Sequence, residues 1–151
     1  MSTVLHFKQA PAETIDLLLA RPELAVVFWT NPNYTRPKTH GFWLWLARLF
    51  GDYKVPSTLP EAPPELDRSG DDLRLDEDWQ SLLPSDRPFL SFGEPIPGSD
   101  HGYGDDRVVR PPQVAELQQS LQKSNASDSE RLTVFLDITI EETLGLAIKV
   151  S

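Results

Sequence analysis

The chain has three histidines, the side chains best suited to proton transfer near neutral pH, and their spacing gives them no shared work. His6, His40 and His101 lie far apart, and none has the i, i+4 partner or the His-x-Glu neighbour that a metal site uses. His6 falls in an apolar stretch, Val4 to Phe7, and is expected as a core or edge histidine. His40 precedes a glycine beside an aromatic run and reads as loop. Ser99-Asp100-His101 has the residue types of a hydrolytic triad. Consecutive residues of an extended loop point apart, however, so they cannot form an oriented nucleophile–base–acid chain.

Other chemistry is weighed the same way. Gly102-Tyr103-Gly104-Asp105-Asp106-Arg107 opens like a dinucleotide fingerprint, but it lacks the third glycine and puts two carboxylates where a pyrophosphate would lie. Asp100, Asp105 and Asp106 suit a hard cation by type and not by spacing. No carboxylate pair has the apolar setting that would raise one pKa for glycoside chemistry. Cysteine is absent, which excludes thiol nucleophiles, zinc–thiolate sites and disulfides. No catalytic residue, metal or cofactor is expected.

Charge and aromatic residues point instead to binding. The 151 residues carry a net charge of −9, which argues against nucleic acid as a partner. Acid is concentrated after residue 54, and Asp71, Asp72, Asp76, Glu77 and Asp78 form its densest group. Before them, Pro56, Pro60, Pro63 and Pro64 break helix and sheet, so about 54–72 reads as an extended, solvated acidic loop. Phe42-Trp43-Leu44-Trp45-Leu46-Ala47-Arg48-Leu49-Phe50 is apolar on every face, so as a helix it is either core or docking patch. With Arg48 as its one charge, it lacks the basic face of a membrane-surface helix, and it is far shorter than the roughly 20 residues of a membrane span. The start of the chain has no signal-peptide pattern, and a cytoplasmic location is expected.

The elements that must position these residues are short. Val4 to Phe7 predicts a first strand, and Pro11 suits the start of a helix carrying Ile15, Leu18 and Leu19 and closed by Pro22. Ala25 to Trp29 is an apolar run too short to assign. Trp79, Leu82 and Leu83 predict a short helix, and Val114, Leu117 and Leu121 another, entered at Pro111-Pro112. Leu132, Val134, Leu136, Ile138 and Ile140 then alternate with mostly polar residues, and Leu144, Leu146, Ile148 and Val150 alternate with Gly145, Ala147, Lys149 and Ser151. The pair reads as an antiparallel hairpin turning at Glu141-Glu142-Thr143. The fold expected is α+β: one small domain over 1–151, with short helices on a modest mixed or antiparallel sheet.

Several stretches together resemble the YfbM-like family, a bacterial domain of unknown function. Leu5 to Leu24 is similar to that family's first strand and helix. Leu75-Asp76-Glu77-Asp78-Trp79 resembles its Leu-Asp-x-x-Trp segment, with Gln80 where a histidine is usual. The most specific part is Phe92-Gly93-Glu94-Pro95-Ile96, then Gly102-Tyr103-Gly104, Arg107 and the helix from Pro111. The likeness covers about residues 1–122. It implies an α+β domain with a long helix before the last strand, where this chain's alternation reads as strand. It implies no catalytic residue. Trp79, Gly93, Glu94, Gly102, Tyr103 and Gly104 are the positions it marks, for structure or ligand; Glu94 would accept backbone N–H bonds of the Tyr103 loop.

The function expected is that of a small acidic monomer that neutralises a basic protein partner, in the manner of an immunity protein or antitoxin blocking a toxin. Asp71, Asp72, Asp76, Glu77 and Asp78 would steer the encounter, with Trp43 and Trp45 as anchors. A housekeeping protein holding a small ligand between the Tyr103 loop and Trp79 is the alternative.

Overall fold

The computed structural model describes residues 3–30, 61–76, 79–99, 104–122 and 127–151. In chain order these form strand β1 (Leu5–Ala10), helix α1 (Ala12–Ala20), a 3-10 turn at Pro22–Leu24 and helix α2 (Ala25–Trp29). Strand β2 (Asp72–Leu75) and two 3-10 turns (Trp79–Leu82, Phe89–Ser91) come next. Strands β3 (Glu94–Pro95) and β4 (Arg107–Val109), helices α3 (Pro111–Gln119) and α4 (Ser127–Glu141), and strand β5 (Gly145–Val150) complete the order. The five strands make one antiparallel sheet in the order β2-β1-β5-β4-β3. The α+β expectation holds.

The central pair joins the two ends of the described chain. Leu5 faces Val150 and Ala10 faces Gly145, and Val4 and Ser151 exchange backbone hydrogen bonds at 2.9 Å. Because successive side chains alternate across a strand, this register sends Leu5, Phe7, Leu146, Ile148 and Val150 to one face. There they meet Val114 and Leu117 of α3 and Leu132, Phe135 and Leu136 of α4. Trp79, Leu82, Phe89 and Phe92 from the turns fill the same core. The opposite face offers the smaller Ala10, Val108 and Ala147 to Ile15, Leu18, Leu24, Val27 and Phe28. The sheet is therefore sandwiched between helices on both sides.

Helix α4 overturns the expected hairpin. Leu132 to Ile140 is helical, and the chain turns at Glu142–Thr143 directly into β5. Leu132, Phe135, Leu136 and Thr139 are the buried positions, spaced i, i+3, i+4, i+7, while Val134 and Ile138 face outward. Thr139 lies inside because its hydroxyl is satisfied: it donates to the Phe135 carbonyl at 2.7 Å and accepts from Gln9 Nε2 at 2.9 Å. The helix closes as a Schellman turn, with Leu144 N–H bonding the Thr139 carbonyl and Thr143 N–H the Ile140 carbonyl. Thr143 takes the left-handed position, φ 56°, where glycine is the usual occupant.

The expected solvated loop also needs correction over its described part. Leu66 is buried in the α1–α2 core, Asp67 N–H donates to Thr14 Oγ1 at 3.1 Å, and Arg68 reaches the Val27 carbonyl at 3.4 Å. A Cβ on Gly70 would run into the Gln9 carbonyl, so glycine lets this segment lie directly on β1. Leu66, with Ala62 packed on the same core, and these bonds hold a stretch whose composition reads as solvated.

Candidate functional site

Strand β2 carries the acidic residues singled out in the sequence. Leu73 and Leu75 turn toward the apolar core, leaving Asp72 and Arg74 on the other side of the strand. Asp71, Asp72 and Asp76 are exposed, and Arg74 Nε donates to Asp76 Oδ1 at 2.6 Å. β2 is one of the two edge strands, so these three carboxylates line an edge of the sheet. Asp71 also borders a cleft of about 180 Å³ with Asp67, Ser69, Gly70 and Glu142. In it, the Ser69 hydroxyl at 2.5 Å and the Ser69 N–H at 2.9 Å both bond Asp67 Oδ1, holding that carboxyl below the usual Asp value.

The register also assembles a row of bases that sequence reasoning missed. Arg74, His6 and Lys149 face one another across β2, β1 and β5. His6 shares a hydrogen bond with Ser151 Oγ at 2.8 Å, and the Trp29 ring packs edge-on at 6.3 Å. Burial, then Lys149 and Arg74, lower the His6 pKa. The Lys149 ammonium stands 5.0 Å over the Trp29 ring. Lys8 is buried on the same face: its ammonium donates to the Phe28 carbonyl at 3.0 Å and lies over the Phe28 ring. That bond satisfies a carbonyl at the end of α2, so Lys8 has a structural task there. Burial lowers the Lys8 pKa, with Asp72 on the paired strand opposing the shift.

The positions marked by the resemblance divide into two kinds. Trp79 is a core residue whose indole N–H donates to the Thr3 carbonyl at 3.0 Å. Gly93, at φ 75°, lets its turn approach β4, since a Cβ would strike the Val108 carbonyl. Arg107 pins that turn, bonding the Phe92 carbonyl at 2.8 Å and the Gly93 carbonyl at 2.6 Å. Glu94 is described without the N–H groups of the Tyr103 loop that it is expected to accept, since residues 100–103 lie outside the described residues. It receives Arg110 Nε at 3.1 Å, while Arg110 Nη1 reaches Asp16 at 2.6 Å, and these two bonds raise the Arg110 pKa. Gly104 has φ 97°. Trp43, Trp45, Glu77, Asp78, Gly102 and Tyr103 lie outside the described residues, as do His40, Asp100 and His101.

Ser99, the one described member of the triad-like run, is buried, and its hydroxyl is engaged twice. It donates to the Ile96 carbonyl at 2.6 Å and accepts the Asp106 N–H at 2.8 Å, which staples the two limbs of the loop. Trp79, Leu83, Pro84, Pro88 and Phe89 line a groove of about 280 Å³. That lies just under the lower end of the usual small-ligand range, about 300 Å³. Among the described residues no group of three or more histidines and carboxylates could hold a metal ion, and no helix is long and apolar enough to cross a membrane. Comparisons of the chain with family models, curated proteins and solved structures found no match, so the YfbM-like resemblance rests on the quoted residues alone.

Proposed function

We propose that this chain is a binding protein that occludes a basic protein partner, as an immunity protein or antitoxin does. The observation that carries the reading is the sheet edge at β2, where Asp71, Asp72 and Asp76 stand exposed and Arg74 is bonded to Asp76. The neighbouring cleft adds Asp67 and Glu142. Exposed like charges act over a Debye length, about 8 Å at physiological salt, and mainly raise the rate of encounter with an opposite charge.

The test starts from affinity capture in the native host, with the partner identified by mass spectrometry. Association kinetics of the purified pair are then measured at two salt concentrations. Replacing Asp71, Asp72 and Asp76 together by Asn is expected to slow association and flatten its salt dependence, with dissociation changed less. An association rate indifferent to salt and to these substitutions overturns the reading. A small metabolite co-purifying in place of a protein supports the ligand-binding alternative, for which the Trp79 groove is the place to look.

A further inference from the structure

The two edges of the sheet are not equally open to another strand. β3 is two residues long, and one of them is Pro95. Ile96 N–H bonds the Asp106 carbonyl on the β4 side, which leaves Pro95, without an N–H, as the residue turned outward. β2 is four residues long and free of proline. Its pairing fixes the direction of every backbone group. Gln9 N–H donates to the Asp71 carbonyl, so Asp71, Leu73 and Leu75 point their peptide groups at β1. Asp72 and Arg74 alternate with them and point theirs away from the sheet. Among the described residues, β2 pairs with β1 alone.

Helix α4 supplies an apolar wall beside that edge. Asp137 bonds Gln118 and so marks the side of α4 turned to α3, which packs on β5. The helical period places Ile138 and Val134 toward the flank away from α3, and α4 itself reaches β2. These two are the exposed large hydrophobics of the helix, 40% and 53% accessible. A strand laid beside β2 would cover Ile138 with side chains from one of its faces and meet Asp72 with those from the other.

We infer that the β2 edge accepts an extended basic segment of the partner as an added strand, with Lys or Arg alternating with aliphatic residues. This rests on the binding function proposed above and states how the partner is held. Charged side chains on an edge strand blunt its pairing with copies of the same chain, and this edge carries the carboxylates of Asp71, Asp72 and Asp76. The same carboxylates favour a strand of opposite charge, whose backbone bonds give affinity and whose alternate side chains give selectivity.

The probe is a short acetylated peptide of alternating Lys and Val, titrated into the full chain and followed by NMR. A second peptide of the same sequence is N-methylated at alternate amides; it keeps the charge and loses the strand-forming edge. The first is expected to shift the Asp72 and Arg74 amides and the Val134 and Ile138 methyls. The second should bind at least about tenfold more weakly, the consequence of lost backbone bonds. Arg74→Pro, which removes an outward N–H and no bond to β1, should abolish the difference between the peptides. The methylated peptide keeps the test valid if that variant fails to fold. Equal binding of the two peptides, shifts confined to other elements, or no binding of the first peptide each overturn strand addition. Equal binding that weakens with salt does so while leaving the electrostatic reading intact; that reading fails on the partner's association kinetics instead.

Discussion

Along β1, neighbouring side chains live in different surroundings. Leu5 and Phe7 are fully buried among the aromatic and aliphatic residues of α3, α4 and the 79–92 turns. His6 and Lys8, one residue away, share the other face with Arg74 and Lys149, beneath a helix of only five residues. Among the described residues, the first face, covered by the long helices, holds one buried polar pair, Gln9 with Thr139. The second face is covered near α1 and left partly polar beyond α2, and its charges are held by carbonyls and rings. Shape and stability reside on one side of the strand, and charge on the other.

That contrast breaks most visibly at Phe7. Its ring makes an edge contact with Phe89 at 5.5 Å and a tilted one with Phe135 at 6.4 Å. Phe7→Ala is expected to cost about 3–5 kcal/mol in denaturant unfolding. Lys8→Met keeps the stem and loses one hydrogen bond, and should cost only about 1 kcal/mol. Equal losses would mean that the two faces are not divided as described.

Leu66 tests whether the segment before β2 belongs to the second core. Leu66→Ala is expected to cost about 2–3 kcal/mol, toward the lower end of buried leucine truncations because the site lies near the surface. An unchanged thermal midpoint would return residues 61–71 to the status of a solvated loop.

The smallest effect belongs to His6, and it sharpens the electrostatic half of the comparison. The folded protein favours the neutral ring, so the unfolded chain binds a proton more readily below its ordinary pKa of about 6.5. This contribution to stability is present above that value and is lost as pH falls through the lowered folded pKa. His6→Gln should flatten the fall of the thermal midpoint between pH 7 and pH 5 relative to the parent chain. Identical slopes would show that the ring is not held neutral.

Much of the fold was legible in the sequence because it rests on local signals. Pro11 and Pro111 mark helix starts, and Ile15 with Leu18 marks the buried side of α1. The C-terminal helix reads as strand in the sequence because Leu132, Val134, Leu136, Ile138 and Ile140 satisfy a period of two with β-branched residues among them. The competing set, Leu132, Phe135, Leu136 and Thr139, requires counting a threonine as core. The Ser-x-x-Glu pattern at Ser127 to Glu130 was the available helix-start signal. At the site, the acidic residues of β2 could be found by composition. The basic row could not, since Arg74, His6 and Lys149 come from three distant parts of the chain and meet only through strand register.

The pairing of β1 with β5 has a kinetic consequence. β5 comes last in the described order yet stands between β1 and β4, so every other strand is made before the one that joins them. Until β5 inserts, the sheet exists as two separate ladders, β2 with β1 and β3 with β4, each with an uncovered apolar face. Contacts such as His6 to Ser151 span 145 positions, and sequence separations of that size slow the search for the native pairing. On the ribosome, the half-built sheet would wait with the inner edge of β1 open, the interval in which a chaperone has most to offer this chain.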